Sequence, residues 1–181
     1  MASLSRNLCS ALVHAATLIL VLVFAPAAQA KDLRTVVDKR LEGTVPTVHG
    51  TLELYRLEFE DGDRTYQIAL DGKARYEENE YHIVEIAASY PEKEPARVML
   101  LELVTGGSGC PMLYKVLEVK DDGSTVRTKE FGNCAMAHPS FTDGVLRIDI
   151  PKIGGAAAES WRYQNGKLSK APTKSTRPRK K

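Results

Sequence analysis

The stretch that decides the fold class is DGVLRIDI, residues 143–150. It opens with a dipeptide that tolerates positive φ in tight hairpin turns. Leu146, Ile148 and Ile150 are apolar, and the two residues that separate them are charged. A period of two is typical of a strand with one buried face. The stretch therefore predicts a tight turn followed by a half-buried β-strand.

The same signals recur along the chain and favour an antiparallel arrangement. Turn dipeptides occur at Asp61-Gly62, Asp71-Gly72, Asp122-Gly123, Asp143-Gly144 and Asn165-Gly166. Alternating apolar residues fill 66–70 and 160–164 between them. In the first long strand the apolar set changes from Leu52 and Leu54 to Tyr55, Leu57 and Phe59. This change of phase predicts a bulge or bend near Tyr55.

Residues 97–104 are apolar at successive positions, which is typical of a central strand covered on both faces. With further candidates at 81–88, 114–119 and 125–131, about eight strands are expected. We therefore predict an all-β fold, a single antiparallel β-sandwich or a partly closed barrel. Residues 31–41 are also compatible with a short N-terminal helix, because Leu33, Val36, Val37 and Leu41 would share one face.

Residues 1–30 have the pattern of a secretory signal peptide. Arg6 precedes an apolar run at 15–24, and the segment ends in Ala28-Gln29-Ala30, which suits cleavage before Lys31. The run is shorter than the roughly 20 residues that span a bilayer. We expect a periplasmic or secreted protein with no transmembrane segment in the mature chain. Residues 31–168 are then a single β-rich domain and residues 169–181 a tail.

Charge is distributed unevenly along the mature chain. Residues 31–165 hold 17 basic and 23 acidic residues, a charge of about −6, whereas residues 166–181 hold seven basic residues and no acid. The tail is predicted to be disordered because it has too little apolar surface to bury. It is suited to weak contact with an anionic surface, or simply to keeping the chain soluble. Nucleic acid is not expected as a partner of an acidic exported domain.

Export also determines how the cysteines of the mature chain are interpreted. In an oxidising compartment Cys110 and Cys134 have one possible pairing, and we predict that they form a disulfide. Cys110 lies in TGGSGCPMLY, residues 105–114, between two apolar runs. The glycines of this stretch permit a sharp connection, so Ser108 is interpreted as a turn residue.

An enzymatic interpretation of the same stretch stays as the alternative. Ser108 lacks both the acidic neighbour of a trypsin-like serine and the final glycine of a G-x-S-x-G elbow. Cys110 with His138 could supply a thiol and a base, but a disulfide would remove the thiol. The alternative is a hydrolase-like enzyme that uses residues around Ser108, Cys110 and His138. No residue is assigned as catalytic.

Metal and cofactor sites are not predicted. His49, His82 and His138 are isolated in the sequence and form no paired ligand motif. The start of a calcium loop at 61–63 is not continued by the other ligands, so a hairpin turn is expected there. The acidic run at 77–80 is interpreted as a solvated loop that could bind cations weakly.

Two segments together resemble a pattern of small exported bacterial proteins, GGxxCPxxY followed further along by FGxC. The matching residues are Gly106, Gly107, Cys110, Pro111 and Tyr114, then Phe131-Gly132-Asn133-Cys134. The resemblance implies an exported location, a disulfide and a β-rich fold. It implies no catalytic or ligand-binding residues, because no function is attached to that group.

Two functional hypotheses follow. The first is a non-enzymatic exported binding or envelope-associated protein, whose partner is an unknown protein or envelope component. The second is the enzyme described above. A cleft that gathers His138 with Ser108 or a carboxylate would favour the enzyme, whereas an exposed aromatic patch around Tyr55, Tyr81 or Trp161 would favour binding.

Overall fold

The computed structural model describes residues 34–172, except residues 94, 108 and 111. The predicted signal peptide and residues 173–181 of the predicted tail lie outside this part. The described residues form twelve β-strands: β1 (Val36–Thr47), β2 (Gly50–Phe59), β3 (Arg64–Leu70), β4 (Lys73–Glu78), β5 (Ile83–Tyr90), β6 (Val98–Val104), β7 (Met112–Val119), β8 (Thr125–Arg127), β9 (His138–Thr142), β10 (Val145–Ile150), β11 (Glu159–Gln164) and β12 (Lys167–Ala171).

The strands make three four-stranded antiparallel sheets, each built from four consecutive strands. The first sheet is β1-β2-β3-β4, the central sheet is β5-β6-β7-β8 and the third sheet is β12-β11-β10-β9. The predicted all-β antiparallel fold is confirmed. The sheets are not closed into a barrel.

Two hydrophobic cores lie on opposite faces of the central sheet. The first core joins it to the first sheet through residues such as Leu54, Ile68 and Leu101. The second core joins it to the third sheet through residues such as Leu100 and Ile148. Alternate side chains of β6 therefore enter different cores, and five of its seven residues are buried. This confirms the expectation of a strand covered on both faces.

Three of the turn dipeptides are complete two-residue hairpin loops. Asp71-Gly72, Asp143-Gly144 and Asn165-Gly166 connect β3 to β4, β9 to β10 and β11 to β12, and both residues of each have positive φ. Two adjacent positive φ values match the right-handed twist of the flanking strands. These turns thus hold short strands in register even where few side chains are buried.

The expected count of about eight strands was too low. The four overlooked strands are β1, β4, β9 and β12, which are the edges of the two outer sheets. Most of their side chains are exposed, so they lack the alternation that marks a half-buried strand. β8 is shorter than the predicted 125–131. β12 reaches Ala171, three residues into the segment assigned to the tail.

The helix proposed for residues 31–41 is wrong where the structure describes that segment. Residues 36–41 belong to β1 and pair with β2, for example Arg40 with Arg56. The apolar residues that would share a helical face have no core to cover, since Val37 remains 60% exposed and Leu41 50% exposed. Pairing with β2 satisfies the backbone hydrogen-bonding groups of this segment without burying its apolar side chains. Residues 31–33 lie outside the described part.

The bulge expected near Tyr55 lies in the neighbouring strand. β1 is irregular between Leu41 and Gly43, opposite Tyr55 and Leu54, whereas β2 pairs with β3 without a shift. The change of apolar phase in β2 has another cause. Its inward positions, apolar at Leu54, become charged from Arg56 onward, where the first sheet separates from the core and borders a groove.

Candidate functional site

Cys110 and Cys134 meet at disulfide-bonding distance. The sulfur atoms of Cys110 and Cys134 are 1.95 Å apart, and the Cα atoms are 4.7 Å apart. Cys110 lies in the connection between β6 and β7, and the Thr105 hydroxyl donates to its carbonyl oxygen at 2.5 Å. The bond therefore joins this connection of the central sheet to the segment that precedes the third sheet.

That segment, residues 131–137, is anchored by hydrogen bonds on both sides. Asn133 is buried, and its Nδ2 donates to the carbonyl oxygens of Pro151 at 2.9 Å and Ala157 at 2.6 Å. The Tyr114 hydroxyl donates to the Ala135 carbonyl at 3.1 Å. The anchor therefore ties β7 of the central sheet to both ends of the loop between β10 and β11.

Tyr114 and residues 131–134, which carry part of the sequence resemblance, thus have structural roles here. Phe131 packs between Tyr114 and Trp161, with ring centroids 6.1 Å and 5.1 Å away. Gly132 has a φ of +126°, and a Cβ at that position would lie 3.2 Å from the Tyr114 ring. A side chain there would be strained and crowded. We call residues 131–135 with Tyr114 and Cys110 the staple.

The residues of the enzymatic alternative do not form a catalytic arrangement in the described part. Ser108 lies outside it. His138 begins β9 on the exposed face of the third sheet, opposite Asp149. Asp149 accepts a hydrogen bond from the Ser160 hydroxyl at 2.6 Å. In a catalytic triad the imidazole of the histidine contacts the nucleophilic hydroxyl, whereas here the Asp149 carboxylate contacts the Ser160 hydroxyl.

His49, His82 and His138 are dispersed. His49 lies in the turn between β1 and β2, His82 precedes β5, and His138 begins β9. Among residues 34–172 that the structure describes, no group of three or more His, Cys, Asp or Glu side chains is placed to hold a metal ion. That same part contains no helix that is both long and apolar enough to cross a bilayer.

Glu77, Asn79 and Glu80 of the acidic run at 77–80 are exposed, as the sequence suggested, but Glu78 is buried. Glu78 ends β4, is 5% exposed and forms ion pairs with Lys115 at 2.8 Å and with Arg127. Nearby, burial and a hydrogen bond to Glu130 raise the pKa of Tyr81. A buried carboxylate needs such partners. The cluster links the first sheet to the central sheet.

The aromatic residues proposed as a binding patch lie apart. Tyr81 is buried in the first core, and Trp161 packs against the second core while its indole N–H donates to Glu159 at 2.9 Å. Tyr55 lies on the outward side of the first sheet, with the Lys39 ammonium 3.9 Å from its ring centroid. These residues therefore do not form the exposed aromatic patch that would have favoured binding.

The candidate site is a groove between the edges of two sheets. β1 ends the first sheet and β5 ends the central sheet, and each pairs with a neighbour on one side within the described residues. The edges approach each other at Gly43, where an added Cβ would lie 3.6 Å from Ile86, and a parallel bridge joins Thr47 to Ala96. Before Gly43 every residue of β1 is exposed, so the edges diverge toward its start.

The groove has a volume of about 700 Å³, which lies in the range of ligand sites. One wall is β5 from Ile83 to Ser89, and the other is formed by residues 42–45 of β1. The floor comes from β2 and β3, with Arg56, Arg64 and Tyr66. The Tyr66 hydroxyl donates to the His82 carbonyl at 3.2 Å, which fixes the floor to the start of β5.

Positively and negatively charged side chains alternate across this end of the first sheet. Arg56 lies between two carboxylates, 3.3 Å from Glu42 and 3.4 Å from Glu58, and Arg64 contacts Glu58 at 3.4 Å. Arg40 lies 3.9 Å from Glu42. We call these five residues the charge ladder. None of the five belongs to a motif that the sequence marks, although the change of apolar phase at Tyr55 marks where the ladder begins.

Two glutamates face each other on the groove wall and on the strand behind it. Glu102 on β6 is directly opposite Glu85 on β5. Burial, with a smaller contribution from the charge of Glu85, raises the pKa of Glu102. The ionised form of Glu102 is therefore disfavoured in the folded protein.

Comparisons with models of protein families, with curated proteins and with solved structures found no match.

Proposed function

We propose that this is an exported, non-enzymatic binding protein that takes an extended polypeptide segment of an extracytoplasmic partner into the groove between β1 and β5. The observation that supports this most directly is the outer edge of β5, which pairs with no strand among the described residues and faces the groove. An open edge offers a row of backbone donors and acceptors to an incoming strand.

The wall of the groove gives a second reason for strand addition. β5 contains a bulge at Ala87, and Ala87 is exposed in the groove. Natural edge strands are protected against pairing by charged side chains, prolines and β-bulges. Residues 83–89 contain no lysine or proline, and the bulge limits an added strand to the regular residues on either side of Ala87. The edge is therefore suited to receive a partner strand.

Export remains part of this proposal. The signal-like residues 1–30 and the disulfide-distance cysteine pair support a periplasmic or secreted location, with a mature chain that starts at Lys31. Mass spectrometry of the exported fraction tests the start site. The basic tail adds weak, salt-sensitive contact with an anionic surface in this proposal.

Selection from a displayed peptide library tests the binding function. Mature protein is used to select random peptides a few residues longer than β5, and the enriched peptides are measured by fluorescence anisotropy. Ala87→Lys places a long charged side chain on the groove edge and should abolish binding. Ala74→Lys is the matched control, because Ala74 is also exposed and lies on β4, at the opposite edge of the first sheet.

Binding that survives Ala87→Lys, or a library with no enriched peptide, would contradict the proposal. Circular dichroism of both lysine variants establishes that they are folded. Equal loss of peptide binding in both lysine variants would also count against the proposal, because the peptide would then not depend specifically on the groove.

A further inference from the structure

We infer that the outer face of the third sheet binds the phosphate groups of an anionic lipid surface. The exposed residues that carry this inference are called the basic face: Ser140, Arg147, Arg162, Lys167 and Ser169. The inference rests on the exported location in the proposed function, and it extends the contact given there to the tail to an ordered part of the chain. It does not depend on the groove.

Positive charge is concentrated in the part of the chain that forms the third sheet. Residues 138–172 hold five Lys and Arg residues against three Asp and Glu residues, a net charge of +2. Residues 31–137 hold 14 basic and 20 acidic residues, a net charge of −6. Such a separation of charge within one domain attracts a partner of the opposite sign to the basic side.

Two arginines face each other at the centre of the outer face. Arg147 on β10 lies directly opposite Arg162 on β11, and both are exposed. Like charges directly opposite across a sheet are destabilising. The next positions in the same row are Ser140 on β9 and Ser169 on β12, which carry no charge. Among the described residues neither guanidinium forms an ion pair with a carboxylate. The domain itself therefore does not neutralise the pair.

The one carboxylate at an outward strand position of this sheet, within the described part of the chain, has another partner. Asp149 lies opposite Ser160 and accepts a hydrogen bond from its hydroxyl at 2.6 Å. Lys167 is exposed on the outward side of β12. The outward strand positions therefore hold three basic side chains and one acidic side chain.

The shape of the basic face favours an extended anionic surface. Its side chains are exposed on four adjacent strands, whereas a small ligand is normally enclosed in a cleft. Guanidinium groups bind phosphate through paired, charge-assisted hydrogen bonds. β12 ends at Ala171, and residues 173–181 then add five basic residues and no acidic one. A basic cluster of this kind is typical of contact with anionic lipid. Nucleic acid is not expected in the exported location.

The test is co-sedimentation of the mature protein with vesicles of equal parts phosphatidylglycerol and phosphatidylcholine at low salt. Changing Arg147→Gln and Arg162→Gln together, with the tail intact, should weaken binding to the vesicles roughly five- to thirtyfold. Lys73→Gln with Arg75→Gln is the matched control, because both residues are exposed on β4 of the first sheet and the loss of charge is the same. The control should bind nearly as wild type does. Vesicles of phosphatidylcholine alone should retain none of the proteins.

Equal weakening in the two double variants would overturn the inference, because net charge alone would then govern retention. Retention that the arginine changes leave intact would also overturn it and would leave the tail as the contact. Binding of inorganic phosphate that needs both arginines, with unchanged vesicle retention, would instead indicate a site for a small anion. No retention of the wild-type protein would contradict this inference and the tail contact together, while peptide binding in the groove would stand. Melting curves show that the variants are folded.

Discussion

Asn133→Ala tests whether the staple is a structural element. Asn133 is 7% exposed, and its side chain makes three hydrogen bonds: two donated from Nδ2 to Pro151 and Ala157, and one accepted by Oδ1 from the Ala135 N–H. Alanine removes all three and leaves two carbonyls and one N–H without these partners. At about 1 kcal/mol for each bond, the free energy of unfolding should fall by about 3 kcal/mol.

Urea denaturation of the oxidised protein, followed by tryptophan fluorescence, measures this loss, because Trp161 packs against Phe131 of the staple. The melting temperature should fall by roughly 10 °C for a domain of this size. Gln67→Ala is the matched control, since Gln67 makes one 3.4 Å hydrogen bond to Glu77 on the surface and should cost less than about 0.5 kcal/mol. If Asn133→Ala lowers the free energy of unfolding no more than the control does, the staple does not stabilise the fold.

Three further predictions follow from the same structure. Replacing Cys110 and Cys134 together by alanine should lower the free energy of unfolding by about 2–5 kcal/mol in urea titrations, and no measurable loss would argue against a structural disulfide. Glu102→Gln should raise the melting temperature at neutral pH, because a carboxyl whose pKa is raised in the folded protein costs stability as the pH rises through that pKa. The gain should vanish below the pKa of glutamate in the unfolded chain, about 4.3. A gain that does not depend on pH would show that the ionisation of Glu102 is not its cause. Deleting residues 173–181 should leave the melting temperature unchanged and remove salt-sensitive retention on anionic vesicles, whereas a lower melting temperature would show that the tail is packed.

The sequence predicted the buried strands well because burial leaves a local pattern. β10 alternates at Leu146, Ile148 and Ile150, and all three enter the second core. β6 is apolar on both faces because it serves both cores. The outer edge strands leave no such pattern, since β9 and β12 contain no fully buried residue. Edge strands form through backbone hydrogen bonds to a neighbouring strand, and the types of their side chains do not indicate this pairing.

The groove was not predictable for a related reason. It arises where two edges distant in sequence diverge, and nothing local to 36–45 or 83–89 specifies which edges face each other. The one local signal was at Arg56, where β2 stops being apolar on its inward face. That signal was interpreted as a change of strand phase, because a bulge and a polar groove floor produce the same alternation in sequence.

The most direct test of the groove as the binding site is hydrogen–deuterium exchange of the mature protein with and without a selected peptide. We expect slower exchange for backbone amides of β5 from Ile83 to Ser89, because an added strand hydrogen-bonds to that edge. Amides of β4 and β12, which are edges away from the groove, should exchange as before. Protection that falls on those edges or on the third sheet, and leaves β5 unchanged, would contradict the account.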